Sequence, residues 1–191
     1  MTKTMLRVAA ALTGLVALLA GTLYFTRKPT LHGAVIDPPM AAADFQLTDF
    51  NGQPFGLSDV RGEPAILYFG YTNCPDECPL TMAHLKVAVE MLGEQAPKVR
   101  IIMITTDPGR DTPEALKEFL GKFDKGFLGL VGTPEQLAGV WRDYGVAVEN
   151  GGETHSNYVY VLDTAGRLRE TFLPDSLPAD EAADLQLLLK E

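Results

Sequence analysis

The chain has 191 residues, with 16 lysines and arginines against 25 aspartates and glutamates, and a formal charge of −9 at pH 7. No basic cluster forms outside the first 28 residues, which argues against a nucleic-acid partner, and no GxGxxG or GxxxxGK[ST] run offers a phosphate cradle. The 2 cysteines and 3 scattered histidines are too few for a convincing structural zinc site.

Between Arg7 and Arg27 lies an uncharged apolar run, VAAALTGLVALLAGTLYFT, close to the ~20 residues that cross a bilayer core as a helix. Ala, Leu and Val surround it on every face, unlike an amphipathic core helix. Lys3 and Arg7 also fit the basic start of a cleaved signal peptide. Against cleavage, the run exceeds the ~7–15 residues of such a segment, and no small-x-small site follows. A retained membrane anchor over residues 1–28 is the expectation. Each flank carries two basic residues, so charge does not set the orientation. The short N-terminal tail favours an exported domain.

Residues 29–43, TLHGAVIDPPMAAA from Thr30 on, are rich in Pro, Gly and Ala without periodicity and predict a flexible tether. Residues 44–191 then suit one domain with a core of its own. Within it, FQLTDFNGQPFGLSDV predicts a hairpin with a type I′ turn at Asn51-Gly52. AILYFGY (65–71) is continuous and short, a strand covered on both faces. LTMAHLKVAVEMLG follows as a helix with Leu80, Ala83, Val87 and Met91 at helical spacing, stopping at Gly93.

VRIIMITT predicts a second buried strand. After the DPGRD loop, Thr112-Pro113-Glu114 marks a capped helix start with Pro at its first position, and Thr133-Pro134-Glu135 repeats that signal before QLAGVWRDYG. YVYVLD and RLRETF flank a turn ending at Gly166, an antiparallel hairpin, and ADEAADLQLLLK is a closing helix. This order predicts an α/β domain: a mixed central sheet with flanking helices and an N-terminal hairpin, in thioredoxin-like order, preceded by one transmembrane helix.

Cys74 and Cys78 form a CxxxC pair between the first buried strand and its helix, where open α/β sheets place their ligands. Each precedes a proline and is expected outside regular helix, with Cys78 as N-cap and Pro79 at N1. Both sulfurs then sit near the positive end of the helix dipole, which favours thiolate. Three chemistries remain open for the pair: thiol-disulfide exchange, soft-metal coordination, or a structural disulfide. Copper(I) accepts two thiolates and an imidazole, and copper(II) prefers nitrogen, so one added histidine serves both.

Three histidines compete for that place. His32 lies in the expected tether and reads as an exposed, remote side chain. His84 sits within the helix and points along its shaft. His155, after Gly151-Gly152 and just before the YVYVLD strand, stands where a loop can bring a ligand to its neighbour.

Taken together, GYTNCPDECPLTM, TTDPGRDTPEALKEFL and THSNYVYVLD resemble the Sco/SenC family of copper proteins, from about Phe45 to the C-terminus. The resemblance implies a thioredoxin-like fold on the periplasmic side of a membrane. It implies one copper ion, Cu(I) and/or Cu(II), on Cys74, Cys78 and His155. It also implies delivery to the CuA site of cytochrome c oxidase subunit II, with an upstream periplasmic copper chaperone as a source. Some family members are thought to reduce that subunit's disulfide as well.

The chain departs from the family pattern at Thr154, where an Asp commonly precedes the histidine. Asp107 or Glu153 is the expected substitute for orienting the imidazole. Asp107, Arg110 and Asp111 match the family's DPxRD loop and read as structural support. Two alternatives use the same motifs: a membrane-tethered thiol-disulfide oxidoreductase with Cys74 and Cys78 as its redox pair, and a copper or redox sensor. The carrier itself requires no covalent catalysis.

Overall fold

The computed structural model describes Leu12, Thr13 and residues 30–191. Leu12 and Thr13 are helical, and the rest of the expected anchor lies outside the described residues. Among the described residues no helix is long and apolar enough to cross a membrane.

From residue 31 onward the elements are β1 (Ala34–Ala41), β2 (Gln46–Asp49), β3 (Pro54–Gly56), β4 (Ala65–Gly70), α1 (Glu77–Met91), β5 (Arg100–Thr105), α2 (Pro113–Gly121), β6 (Leu128–Val131), α3 (Pro134–Asp143), β7 (Val148–Glu149), β8 (Thr154–His155), β9 (Val159–Leu162), β10 (Arg167–Phe172) and α4 (Pro178–Leu188). Eight strands make one sheet in the order β1-β10-β9-β4-β5-β6-β2-β3, and β7 and β8 pair apart from it. β4, β5 and β6 run parallel, with β9 antiparallel to β4. This is the mixed sheet of a thioredoxin-like domain.

β4 is apolar throughout because both of its faces are covered. Ile66 and Tyr68 point into the layer of α1, α2 and α4, where Met82, Leu85, Leu116 and Leu185 meet them. Ala65, Leu67 and Phe69 point into the opposite layer, built by α3 and the β2–β3 hairpin around Phe45, Leu47, Leu137 and Val140. Thr112 and Thr133 cap α2 and α3 as expected, each accepting a backbone N–H, with proline at the first helical position.

Four sequence expectations are corrected. The tether is a strand: Ala34–Ala41 pairs antiparallel with β10 at the edge of the sheet, around an irregularity between Val35 and Met40. Pro38 and Pro39 fall within that irregularity, where ladder hydrogen bonds are dispensable. His32 is likewise not a loose side chain, since its Nδ1 lies 2.6 Å from Asp184 Oδ1 and its backbone N–H donates to Asp184 Oδ2 at 2.7 Å.

The β2–β3 turn is not type I′, because Gly52 takes a positive φ of 80° and Asn51 does not. Asp49 Oδ1 instead collects the N–H groups of Asn51 and Gln53, both at 2.8 Å. The last correction concerns α1, which buries Cys78, Met82, Leu85 and Val89 and leaves Leu80, Val87 and Met91 51%, 44% and 51% exposed. The helix is apolar on adjoining faces, so periodicity alone does not choose between them.

Candidate metal site

β4 ends at Gly70, and the next six residues turn the chain into α1 across the carboxyl ends of β4 and β5. One buried carboxylate fixes this turn. Asp111 accepts the Thr72 hydroxyl at 2.6 Å, the Thr72 N–H at 3.1 Å and the Thr105 hydroxyl at 2.7 Å, tying the cysteine loop to the end of β5. Asp111 thus does more than help start a helix.

The N-cap of α1 is Asp76, so Cys78 lies within the first turn rather than at the cap. Proline restrains the residue before it, but a helix tolerates Pro79 in a turn whose N–H groups have no intrahelical acceptor. Both thiols are free, with Cys78 fully buried and Cys74 half-buried. Cys74 Sγ accepts the Cys78 N–H at 3.4 Å. Gly70 makes room here, since a Cβ on it would stand 2.6 Å from the Tyr68 ring and 3.1 Å from Cys78 Sγ.

Burial works against ionisation of the Cys74 thiol, but the backbone N–H groups of Cys78, Asp76 and Glu77 outweigh it and hold its pKa below the usual thiol value. Burial pushes the Cys78 thiol up to about 12, and the neighbouring Cys74 adds to the rise. The two thiols are therefore shifted in opposite directions, Cys74 toward the thiolate and Cys78 toward the thiol. The expectation that the helix terminus favours both thiolates holds for Cys74 only.

His155 comes to this pair on β8, which pairs with β7 so that Val148 faces His155. Its Nε2 lies 3.8 Å from Cys78 Sγ, and its Nδ1 is 3.0 Å from the Ser156 carbonyl. The carbonyl accepts the Nδ1 proton and leaves the Nε2 lone pair directed at the sulfur. Tyr71 and Tyr68 wall the imidazole edge-on at 5.8 and 6.4 Å between ring centroids. The Tyr68 hydroxyl donates to Asn157 Oδ1 at 2.7 Å, and Asn157 also reaches Glu77, joining the start of α1 to the chain beyond His155.

Ser156, not Asp107 or Glu153, orients the ring. Asp107 and Glu153 are both engaged by Arg110. Thr154 turns away and accepts from Asn150 Nδ2 at 3.1 Å. A backbone acceptor carries no sequence signature, which is why motif reading missed it. His84 stays on α1 with its Nδ1 buried and unpaired, and His32 belongs to the Asp184 cluster.

Cys74, His155, Tyr71, Asp76, Glu77 and Glu153 line an open cleft of about 260 Å³. Among the described residues no three Cys, His, Asp or Glu donors are gathered closely enough to enclose an ion. The Cys78–His155 spacing nevertheless fits two donors of one metal. With metal–sulfur and metal–nitrogen bonds of about 2.3 and 2.0 Å, a tetrahedral to trigonal angle puts the donors about 3.5–3.7 Å apart. Two thiols and an oriented imidazole are the donor set of a soft ion.

A sequence model of the SCO1/SenC family matches residues 34–190. An SCO2-like protein of Rickettsia felis is 36% identical over 146 residues, covering 72% of this chain and 71% of that protein. Bradyrhizobium japonicum ScoI, solved with copper bound, superposes with a TM-score of 0.72 at 35% identity, over 78% of this chain and 99% of that one. Apo Sco1 of Thermus thermophilus gives a TM-score of 0.73 at 34% identity, over 84% and 98%.

Proposed function

Since the chain belongs to the SCO1/SenC family, we propose that it is a copper carrier that holds one ion on Cys74, Cys78 and His155 and delivers it to the CuA site of cytochrome c oxidase subunit II. The observation that carries this is the 3.8 Å approach of Cys78 Sγ to His155 Nε2, with Nδ1 held by a carbonyl. Copper is cargo here. The two thiols supply the soft donors that copper(I) prefers, and the imidazole adds the nitrogen that copper(II) needs.

Transfer follows from the unequal burial of the two sulfurs. Cys74, at the cleft mouth, is the donor that an acceptor thiolate displaces first, and Cys78 and His155 hold the ion until the acceptor's second ligand closes on it. The segment 1–28, with its apolar run between Arg7 and Arg27, anchors the chain, and the domain works on the periplasmic side beside a membrane-bound acceptor. An upstream periplasmic chaperone is the source of the ion.

The asymmetry of the thiols also favours a second activity, reduction of the CuA disulfide. The Cys74 thiolate attacks one sulfur of the acceptor disulfide to form a mixed disulfide. Cys78, passing its proton to the acceptor thiolate expelled in that first attack, then attacks Cys74. This expels the acceptor's second sulfur as a thiolate that takes a proton from water, leaving the acceptor as a dithiol and Cys74–Cys78 as a disulfide. The deciding experiment is copper titration of the reduced full chain beside the Cys74→Ser/Cys78→Ser double variant. One copper per chain, lost in the double variant, supports the carrier. No specific uptake, with turnover of a model disulfide, leaves the oxidoreductase.

A further inference from the structure

The hairpin that bears His155 has almost no core of its own. β7 and β8 are two residues each, joined through Asn150, Gly151 and Gly152, and Asn150, Gly151 and Gly152 all have positive φ. Such a hairpin is marginal alone in water, so its place over the cysteines must come from outside it. The groups that hold it converge on the loop after β5.

Arg110 stands at the centre of that loop. Its Nε engages the buried carboxylate of Asp107, and its Nη1 lies 2.8 Å from Glu153 Oε1, two residues before His155. The guanidinium also lies over the Tyr71 ring, 6.0 Å from the centroid, and the Tyr71 hydroxyl donates to the Glu153 carbonyl at 3.3 Å. On the other side of the hairpin, the Thr106 hydroxyl donates to the Gly152 carbonyl at 3.1 Å. A Cβ on Gly152 would run into the Thr106 carbonyl, so the hairpin backbone lies directly on the loop.

We infer that Arg110 is a positioning residue for His155: by bridging Asp107, buried in the loop after β5, to Glu153 on the hairpin, it sets the imidazole over Cys78. Arg110 makes no contact with either sulfur or with the imidazole nitrogens among the bonds of the site, so its effect passes through Glu153 and Tyr71. The planar guanidinium suits this role because it presents donors to two carboxylates at once while its face rests on an aromatic ring. A lysine offers a single point of charge and cannot reproduce the fork. The functional part of this inference rests on the copper reading above, whereas the clasp itself is a property of the metal-free chain.

The test uses the full chain in detergent with reduced thiols, as wild type, Arg110→Ala, Arg110→Lys, Glu153→Ala and His155→Ala. In the metal-free protein the Ser156 amide, which donates to the Ala147 carbonyl across the hairpin, is expected to exchange about fivefold faster in Arg110→Ala, the effect of losing a partly exposed ion pair. Copper(II) affinity is expected to fall about tenfold, the low end of what losing an outer support of a ligand costs. The copper(II) spectrum should move toward that of His155→Ala, with copper(I) affinity unchanged.

Glu153→Ala should follow Arg110→Ala, and Arg110→Lys should recover only part of the loss. Adding Arg110→Ala to His155→Ala should cost no further copper(II) affinity, because both act on one ligand. Unchanged exchange and an unchanged copper(II) spectrum in Arg110→Ala would overturn the inference. Equal losses of copper(I) and copper(II) would also overturn it, since they would mark a general structural role. A wild type that binds no copper refutes the carrier function instead and leaves the exchange arm to decide the clasp.

Discussion

Cys78 Sγ and His155 Nε2 stand 3.8 Å apart across 77 positions of sequence. Cys78 belongs to the first turn of α1 and His155 to a hairpin outside the main sheet. Removing each donor should therefore have a different signature. Cys78→Ser is expected to abolish tight binding of copper in both oxidation states. His155→Ala should weaken copper(II) by more than the about 10–100-fold that loss of an orienting partner costs, and leave copper(I) on the two thiols. Competition titrations in each oxidation state check this, and undiminished copper(II) binding in His155→Ala would remove that residue from the site.

Gly70 offers a test of the space behind the cysteines. A methyl group there meets the Tyr68 ring and Cys78 Sγ inside ordinary contact distance. Gly70→Ala should cost about 1–3 kcal/mol through overpacking and displace Cys78 from His155. Urea denaturation gives the first quantity, and the copper(II) spectrum reports the second. A variant as stable as wild type would show that Tyr68 yields without cost.

The faces of α1 divide its side chains sharply. Met82→Ala and Leu85→Ala should each cost about 2–5 kcal/mol, because both side chains are fully buried. Val87→Gln and Met91→Gln should stay within about 0.5 kcal/mol of wild type. Chemical denaturation of the four variants settles which stripe faces the sheet. Large losses at Val87 or Met91 would restore the register expected from periodicity.

A cluster of acids away from the cysteines makes stability depend on pH. Burial, then the nearby Asp184, pushes Glu170 up to about 8, while burial and Asp180 push Glu181 up to about 7. His32 is raised above its ordinary value by its hydrogen bond to Asp184. In each case the folded chain binds the proton more tightly than the unfolded one. Stability is therefore fullest at the acid end of the window and falls as pH rises from about 4.5 to about 8. Urea midpoints at pH 5, 6.5 and 8 should decline in that order, and Glu170→Gln should flatten the decline. A midpoint that climbs across this range would contradict the assignment.

Where a feature is written in adjacent residues, sequence and structure agree. Thr112-Pro113 and Thr133-Pro134 announce two helix starts, and the unbroken run from Ala65 announces the central strand, since each is a local physical constraint. The pairing of Cys74 and Cys78 with His155 became legible only through three separated motifs read as a set. What escaped depends on partners supplied by the fold. The edge strand at Ala34–Ala41 is made by β10, because Asp37, Pro38 and Pro39 interrupt the short Val35-Ile36 stretch and leave no alternation to read. The orienting acceptor of His155 is a main-chain carbonyl, which every residue possesses. The buried face of α1 was decided by the sheet it met, and Asp111 gains its meaning from Thr72 and Thr105, which only the folded chain brings to it.

The placement of β1 has a practical bearing on how the domain can be cut. Residues 34–41 pair with the outer edge of β10, while His32 donates to Asp184 and the Gly33 N–H donates to Glu170 Oε2. A fragment trimmed at Ala41 would uncover a six-residue template for intermolecular strand addition, the usual route to aggregation. It would also strand buried carboxylates without donors. Soluble versions should begin ahead of Leu31, so that the natural cover of the sheet travels with the cysteine pair and His155.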